Sequence, residues 1–175
     1  TLDTPDTGVA TTLAVTTGGT GYKSATGLAT TGGNGSGLTV NITVSTGTVN
    51  ALGSITAGGS GYAATGTGVA TTSTGTGAGL TVDFTATGGV VDSVAINTAG
   101  DANYAEGDVI TISGAGANAT FTIPSGGVTG PITGVVNAGG GTLYEANDVV
   151  TVTQSGGATG TLTIGAVQDT SIAIT

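Results

Sequence analysis

Two short stretches of the chain gather side chains that can hold a metal or move a proton. Asp101, Asn103, Glu106 and Asp108 fall inside "GDANYAEGD", and Glu145, Asn147 and Asp148 inside "YEAND". Carboxylate and amide oxygens this close together, with glycines beside them, are the donor set of a calcium site. The spacing departs from the D-x-[DN]-x-[DN]-G loop at Ala105, where that loop carries Asp or Asn. The competing expectation, which the pattern favours, makes Asp108 and Asp148 turn residues that cap the start of a strand. Paired acids also serve glycoside hydrolysis, but no aromatic subsites flank these. Calcium at Asp101, Asn103, Glu106 and Asp108 is the one metal worth considering, and no other cofactor is expected.

Other catalytic machinery lacks its parts. There is no His to activate a Ser or Thr, and no Cys to supply a thiolate, a disulfide or a soft metal ligand. Lys23 is the only cation; it follows Tyr22, and its counterparts after the other tyrosines are Ala63, Ala105 and Glu145. It is expected at a solvent-exposed turn, without the burial that makes a lysine reactive. "GGNGSG" at 32–37 has the glycines of a phosphate loop but no following helix or Lys. The N-x-[ST] matches at Asn34, Asn41 and Asn118 are what chance supplies in a chain so rich in Ser and Thr. No catalytic residue is expected, and the chain reads as a non-enzyme. Ten carboxylates against one lysine leave a net charge of −9. That charge opposes binding to nucleic acid and to anionic membrane surfaces. Apolar runs are too short for a spanning helix. The N-terminus "TLDTPDTGVA" lacks the basic and apolar regions of a signal peptide, and fits a chain trimmed of its Met or a fragment.

The elements that would position any site follow from a period. The four tyrosines stand at 22, 62, 104 and 144, spaced 40, 42 and 40 residues apart, each behind a glycine turn or a variant of one. After each comes a short strand: "GLATT" at 27–31, "GVATT" at 68–72, "DVITI" at 108–112 and "DVVTV" at 148–152. A glycine-rich loop then leads to a second strand at 37–44, 79–86, 119–123 and 161–164. In "GLTVNITV", Leu38, Val40, Ile42 and Val44 alternate with Thr39, Asn41 and Thr43, which marks one buried and one wet face. A third strand follows turns such as "STGTV" at 45–49 and "TGGVV" at 87–91 and runs into the next tyrosine. No segment carries helical spacing. The expectation is an all-β domain over 1–175: a third strand without its first two at 1–17, then three-stranded repeats at about 18–57, 58–99, 100–138 and 139–175. The array is elongated or closed, and "AVQDTSIAIT" supplies a last third strand. The N-terminal strand then packs on the first repeat, completes a ring, or pairs with a neighbouring subunit. Tyr22, Tyr62, Tyr104 and Tyr144 are expected to fill equivalent pockets at the repeat junctions, with a row of sugar-stacking rings as the rival role.

The order "GTGAGLTVDFTATGGVVDSVAINTAG…Y…GDVITISGAGANATFTI", best developed over 75–123, resembles a repeat of tailed-phage virion structural proteins, notably of marine and cyanobacterial phages. Degenerate copies cover nearly the whole chain, with departures at "GDANY" and "GGGTLY". The resemblance implies a protein on the outside of the virion, as capsid decoration, head fibre or tail-fibre segment. Its partners are then further copies of itself and capsid or tail proteins, its location is extracellular, and it brings no catalytic residue. The alternatives are a β-rich filament subunit assembling by strand exchange, and a glycan- or receptor-binding adhesin module.

Overall fold

The computed structural model describes residues 7–114 and 116–169. Their regular elements are all strands: β1 (Gly8–Thr17), β2 (Ala25–Gly32), β3 (Ser36–Thr43), β4 (Thr48–Val49), β5 (Ile55–Ser60), β6 (Thr65–Ser73), β7 (Leu80–Thr87), β8 (Val90–Ala99), β9 (Val109–Ile112), β10 (Ala117–Thr122), β11 (Val128–Thr129), β12 (Gly134–Thr142), β13 (Val149–Val152) and β14 (Thr161–Asp169). Alternation explains them. On β3, Leu38, Val40 and Ile42 are buried while Thr39 and Asn41 lie partly in solvent; on β7, Leu80, Val82 and Phe84 repeat the arrangement. Branched threonines on the outer face favour extended backbone and keep that face wet.

The chain divides into two compact units, one running to Val44 and resuming at Pro131, the other covering Ser45–Gly130. Unit 1 holds a six-stranded antiparallel sheet in the order β1-β14-β13-β2-β3-β12. Unit 2 holds one in the order β5-β10-β9-β6-β7-β8. The orders are the same once the strands of each unit are counted along the chain. Both sheets curl until their outer strands meet, giving barrel-like shapes. In unit 1, Asn137 Nδ2 donates to the Ala10 carbonyl at 2.5 Å, tying β12 to β1. In unit 2, Gly58 of β5 lies against Val90 and Val91 of β8. Inward residues fill each barrel: Leu38, Val40, Ile42, Val150, Leu162 and Ile164 in the first, Leu80, Val82, Phe84, Ile110, Phe121 and Ile123 in the second. Each contributes about 1.5–3 kcal/mol by leaving water.

The connectivity departs from the sequence-based expectation at two turns, 45–49 and the one that follows β10, so the repeats expected at about 18–57 and 100–138 are each divided between the two units. "TGG" at 87–89 does join neighbouring strands, β7 and β8. "STGTV" at 45–49 does not: β3 pairs with β12, and unit 2 lies between them in the chain. Thr48 and Val49 instead pair as β4 with Thr129 and Val128 of β11. The two glycine turns look alike locally, and the choice of partner is made by strands far along the chain. The N-terminal strand, β1, pairs with β14 through several bulges and lies against β12, so it closes the barrel of its own unit. The final third strand expected over "AVQDTSIAIT" is, up to Asp169, a continuation of β14; residues 170–175 lie outside those described, as do residues 1–6 of the expected N-terminal segment.

Candidate functional site

Of the four residues singled out by the sequence, the fold keeps Asp101 and Asn103 bonded to each other and gives Glu106 and Asp108 separate partners. Asp101 accepts from the Ala78 N–H (3.2 Å) and the Asn103 N–H (3.1 Å), and Asn103 Nδ2 donates to its other oxygen at 3.0 Å. These bonds, the one from Ala78 first, hold the Asp101 carboxyl below its ordinary range. Asp108 accepts from the Ala105 N–H (3.1 Å) and Ser73 Oγ (3.2 Å), while Glu106 accepts from the Gly126 N–H at 2.9 Å. In unit 1, Asp148 accepts from the N–H groups of Asn34 (3.0 Å) and Glu145 (3.1 Å). Asp108 and Asp148 thus do one job in the two units: each folds a turn back onto the start of its following strand. Among the described residues no three His, Cys, Asp or Glu side chains converge as metal ligands would. Lys23 is anchored through its main chain, its N–H donating to Gln154 Oε1 (2.8 Å) and its carbonyl accepting from Gln154 Nε2 (3.1 Å).

The tyrosines are inside the barrels. Their exposure is 0% for Tyr22, 7% for Tyr62 and 1% for Tyr104 and Tyr144, which leaves no ring face for a ligand. Each ring lies on a glycine in a loop of its own unit: Tyr22 on Gly157, Tyr62 on Gly116, Tyr104 on Gly77 and Tyr144 on Gly35. A Cβ added to any of the four would stand 2.5 Å from the ring, so only glycine admits the stacking. Three of the hydroxyls bond to main chain. Tyr22 donates to the Val152 carbonyl (3.0 Å) and accepts from the Gly160 N–H (3.1 Å). Tyr62 donates to the Ile112 carbonyl and accepts from the Ala119 N–H, both at 3.2 Å. Tyr104 accepts from the Leu80 N–H at 3.0 Å. The arrangement is reciprocal: Tyr22, after β1, reaches the β13–β14 loop, and Tyr144, after β12, reaches the β2–β3 loop. Tyr62 and Tyr104 do the same in unit 2.

What the sequence reading passed over is Phe84. Its ring meets Tyr62 edge to face, centroids 5.4 Å apart, and covers Gly66, where an added Cβ would lie 2.3 Å from it. Unit 1 has Ile42 at this place, paired with Ala25. Beside the ring, β6 bulges between Gly66 and Val69. Gly68, at φ +60°, donates its N–H to Asp83 Oδ1 at 2.8 Å, as Gly27 donates to Asn41 Oδ1 in unit 1 at 2.9 Å. Two shallow hollows meet at Thr65, Gly66 and Phe84, one of 280 Å³ reaching Asp83 and Ser93, the other of 200 Å³ reaching Tyr62 and Ser113. Both fall below the ~300 Å³ where small-molecule pockets begin. Asp83 is also engaged by Asn97 Nδ2 at 2.9 Å, so its carboxylate is already committed to two donors. The signal that could have shown this place is a comparison of "TVDFT" with "TVNIT", which isolates Phe84 and Asp83 as the changed residues. No protein-family model, curated protein or solved structure matches the chain.

Proposed function

We propose that this protein is a non-enzymatic structural component on the outside of a tailed-phage virion, as capsid decoration, head fibre or tail-fibre segment. One observation carries the reading: most of the side chains singled out as candidates are spent on turns and main chain. Asp101, Glu106, Asp108 and Asp148 all accept backbone N–H groups, and the Tyr22, Tyr62 and Tyr104 hydroxyls serve inner strands. The resemblance of residues 75–123 to phage virion repeats supplies the setting. On this reading the chain is four copies of one three-stranded phrase, β1–β3, β5–β7, β8–β10 and β12–β14, with two copies in each barrel and the outer strands of each barrel lying against one another. A net charge of −9 repels packaged DNA and suits an exterior position. Small cores of this kind gain from assembly, and further copies of the chain and capsid or tail proteins are the partners proposed.

Immunogold electron microscopy of the source material, with antibody against the recombinant chain, tests this. Label over phage heads or along tails is expected. Label on cell-surface filaments, with none on virions, would replace the proposal with a filament subunit. The strand-exchange form of that alternative requires β1 to leave β14, and deleting residues 1–17 would then abolish polymerisation.

A further inference from the structure

We propose that Asn34–Gly35 is a site of spontaneous backbone modification, where asparagine converts to isoaspartate in the native protein. Three observations converge on it. Of the eight asparagines, only Asn34 precedes glycine; the others precede Ile42, Ala51, Thr98, Tyr104, Ala119, Ala138 and Asp148. Glycine has no Cβ to obstruct its own nitrogen as that atom turns toward the preceding side chain. Asn34 is also exposed, in the connection between β2 and β3. Finally, among the described residues no hydrogen bond is made by the Asn34 side-chain amide or by the Gly35 N–H. Asn41, Asn50, Asn97, Asn103 and Asn137, by contrast, have side chains engaged in hydrogen bonds.

The chemistry is self-contained. The Gly35 nitrogen gives up its proton and bonds to Cγ of Asn34, the Cγ–Nδ2 bond breaks, and ammonia leaves. Water then opens the five-membered imide at either carbonyl, giving aspartate or, with the main chain rerouted through the side chain, isoaspartate. The surroundings make the product consequential. Gly35 is the glycine on which the Tyr144 ring lies, and the Asn34 N–H donates to Asp148 at 3.0 Å. Isoaspartate lengthens the main chain by a methylene at that contact and sets a second carboxylate beside Asp148. Unit 2 lacks the reaction, because Thr76 precedes Gly77 under Tyr104. The loop geometry is shared and the reactive residue is not.

The experiment ages the intact chain in mildly alkaline buffer and follows it by peptide mapping and enzymatic isoaspartate methylation. A gain of about one dalton confined to the peptide carrying residues 34 and 35 is expected. Loss of that gain is expected in Asn34→Thr, the residue of the equivalent loop, and in Asn34→Ser. A gain spread evenly over the other asparagines, or one found only in urea-unfolded chain, would overturn the proposal. Asn34→Asp carries the charge without the added methylene. An aged protein melting below Asn34→Asp ties the damage to the Gly35–Tyr144 contact; equal melting temperatures would overturn that part.

Discussion

Unit 1 and unit 2 have the same strand order and fill one place in it differently. Ile42 pairs with Ala25 in the first; Phe84 pairs with Gly66 in the second. The larger ring is accommodated by removal of the facing Cβ, so the pair changes together while strand register and bulge are kept. A second contrast lies in the residue before each tyrosine. Gly21 and Gly61 take φ of +73° and +77°, whereas Leu143 holds +63° and is 61% exposed. The comparison teaches that barrel geometry is set by glycine placement and strand pairing, and that side-chain identity adjusts to it.

The largest effect that bears on this comparison comes from the tyrosines. Tyr22→Ala and Tyr62→Ala are each expected to cost about 3–5 kcal/mol, since a buried ring and two hydrogen bonds are lost. Similar losses by denaturant unfolding would show the two units to be equivalent at this contact; a loss in one unit alone would break the equivalence. Next is the exchanged pair. Gly66→Ala is expected to cost about 2 kcal/mol by overpacking against Phe84, and Phe84→Ile about 1–2 kcal/mol by leaving space. The double variant recreates the Ala25/Ile42 pair and is expected to lie nearer the wild type than either single change. Additive losses would show that the pairing is coincidental. A smaller gain is expected from Leu143→Gly, about 1 kcal/mol, through relief of a left-handed backbone that leucine resists. A lower unfolding midpoint would mean the leucine makes compensating contacts.

The smallest effect is electrostatic. Two carboxyls held below the ordinary value of 3.8, those of Asp92 and Asp101, lie in unit 2. Asp92 is held down first by the Thr85 hydroxyl and next by Thr87, and Asp101 by the Ala78 N–H. A depressed folded-state value favours the ionised form, so the stability is complete above the ordinary value and is lost as pH falls through the lower one. Both groups are exposed, and solvent screening keeps the effect small. Asp92→Asn and Asp101→Asn are therefore expected to flatten the acid limb of unit 2 slightly in pH-dependent melting. An unchanged limb would assign the acid sensitivity to other groups.

Much of the local structure was legible. The first strands expected at 68–72 and 148–152 lie within β6 and overlap β13, because apolar alternation and glycine breaks act within a few residues. The tyrosine period likewise pointed to recurring buried rings. The acidic stretches were legible in part: Asp108 and Asp148 are the turn residues at strand starts that the pattern favoured, but the partners of the acids were not readable. Asp101, Glu106 and Asp108 are neighbours in sequence, but their partners include Ala78, Gly126 and Ser73, 20 to 35 residues away. Which oxygen meets which N–H depends on loops that the spacing of the acids does not encode. Phe84 escaped notice for a similar reason: its cleft exists only where Gly66 comes opposite it.

By itself the sequence determined the all-β class, the strand faces, the glycine turns, the acidic surface and the four tyrosine positions. Tertiary structure decided which strands share a sheet. The glycine turns at 45–49 and 87–91 are locally alike, yet one passes into a separate unit and the other closes a hairpin. Several strands offer the same alternating face and the same ladder of N–H and C=O groups. Only closure of each barrel, with its reciprocal tyrosine and glycine contacts, selects among them.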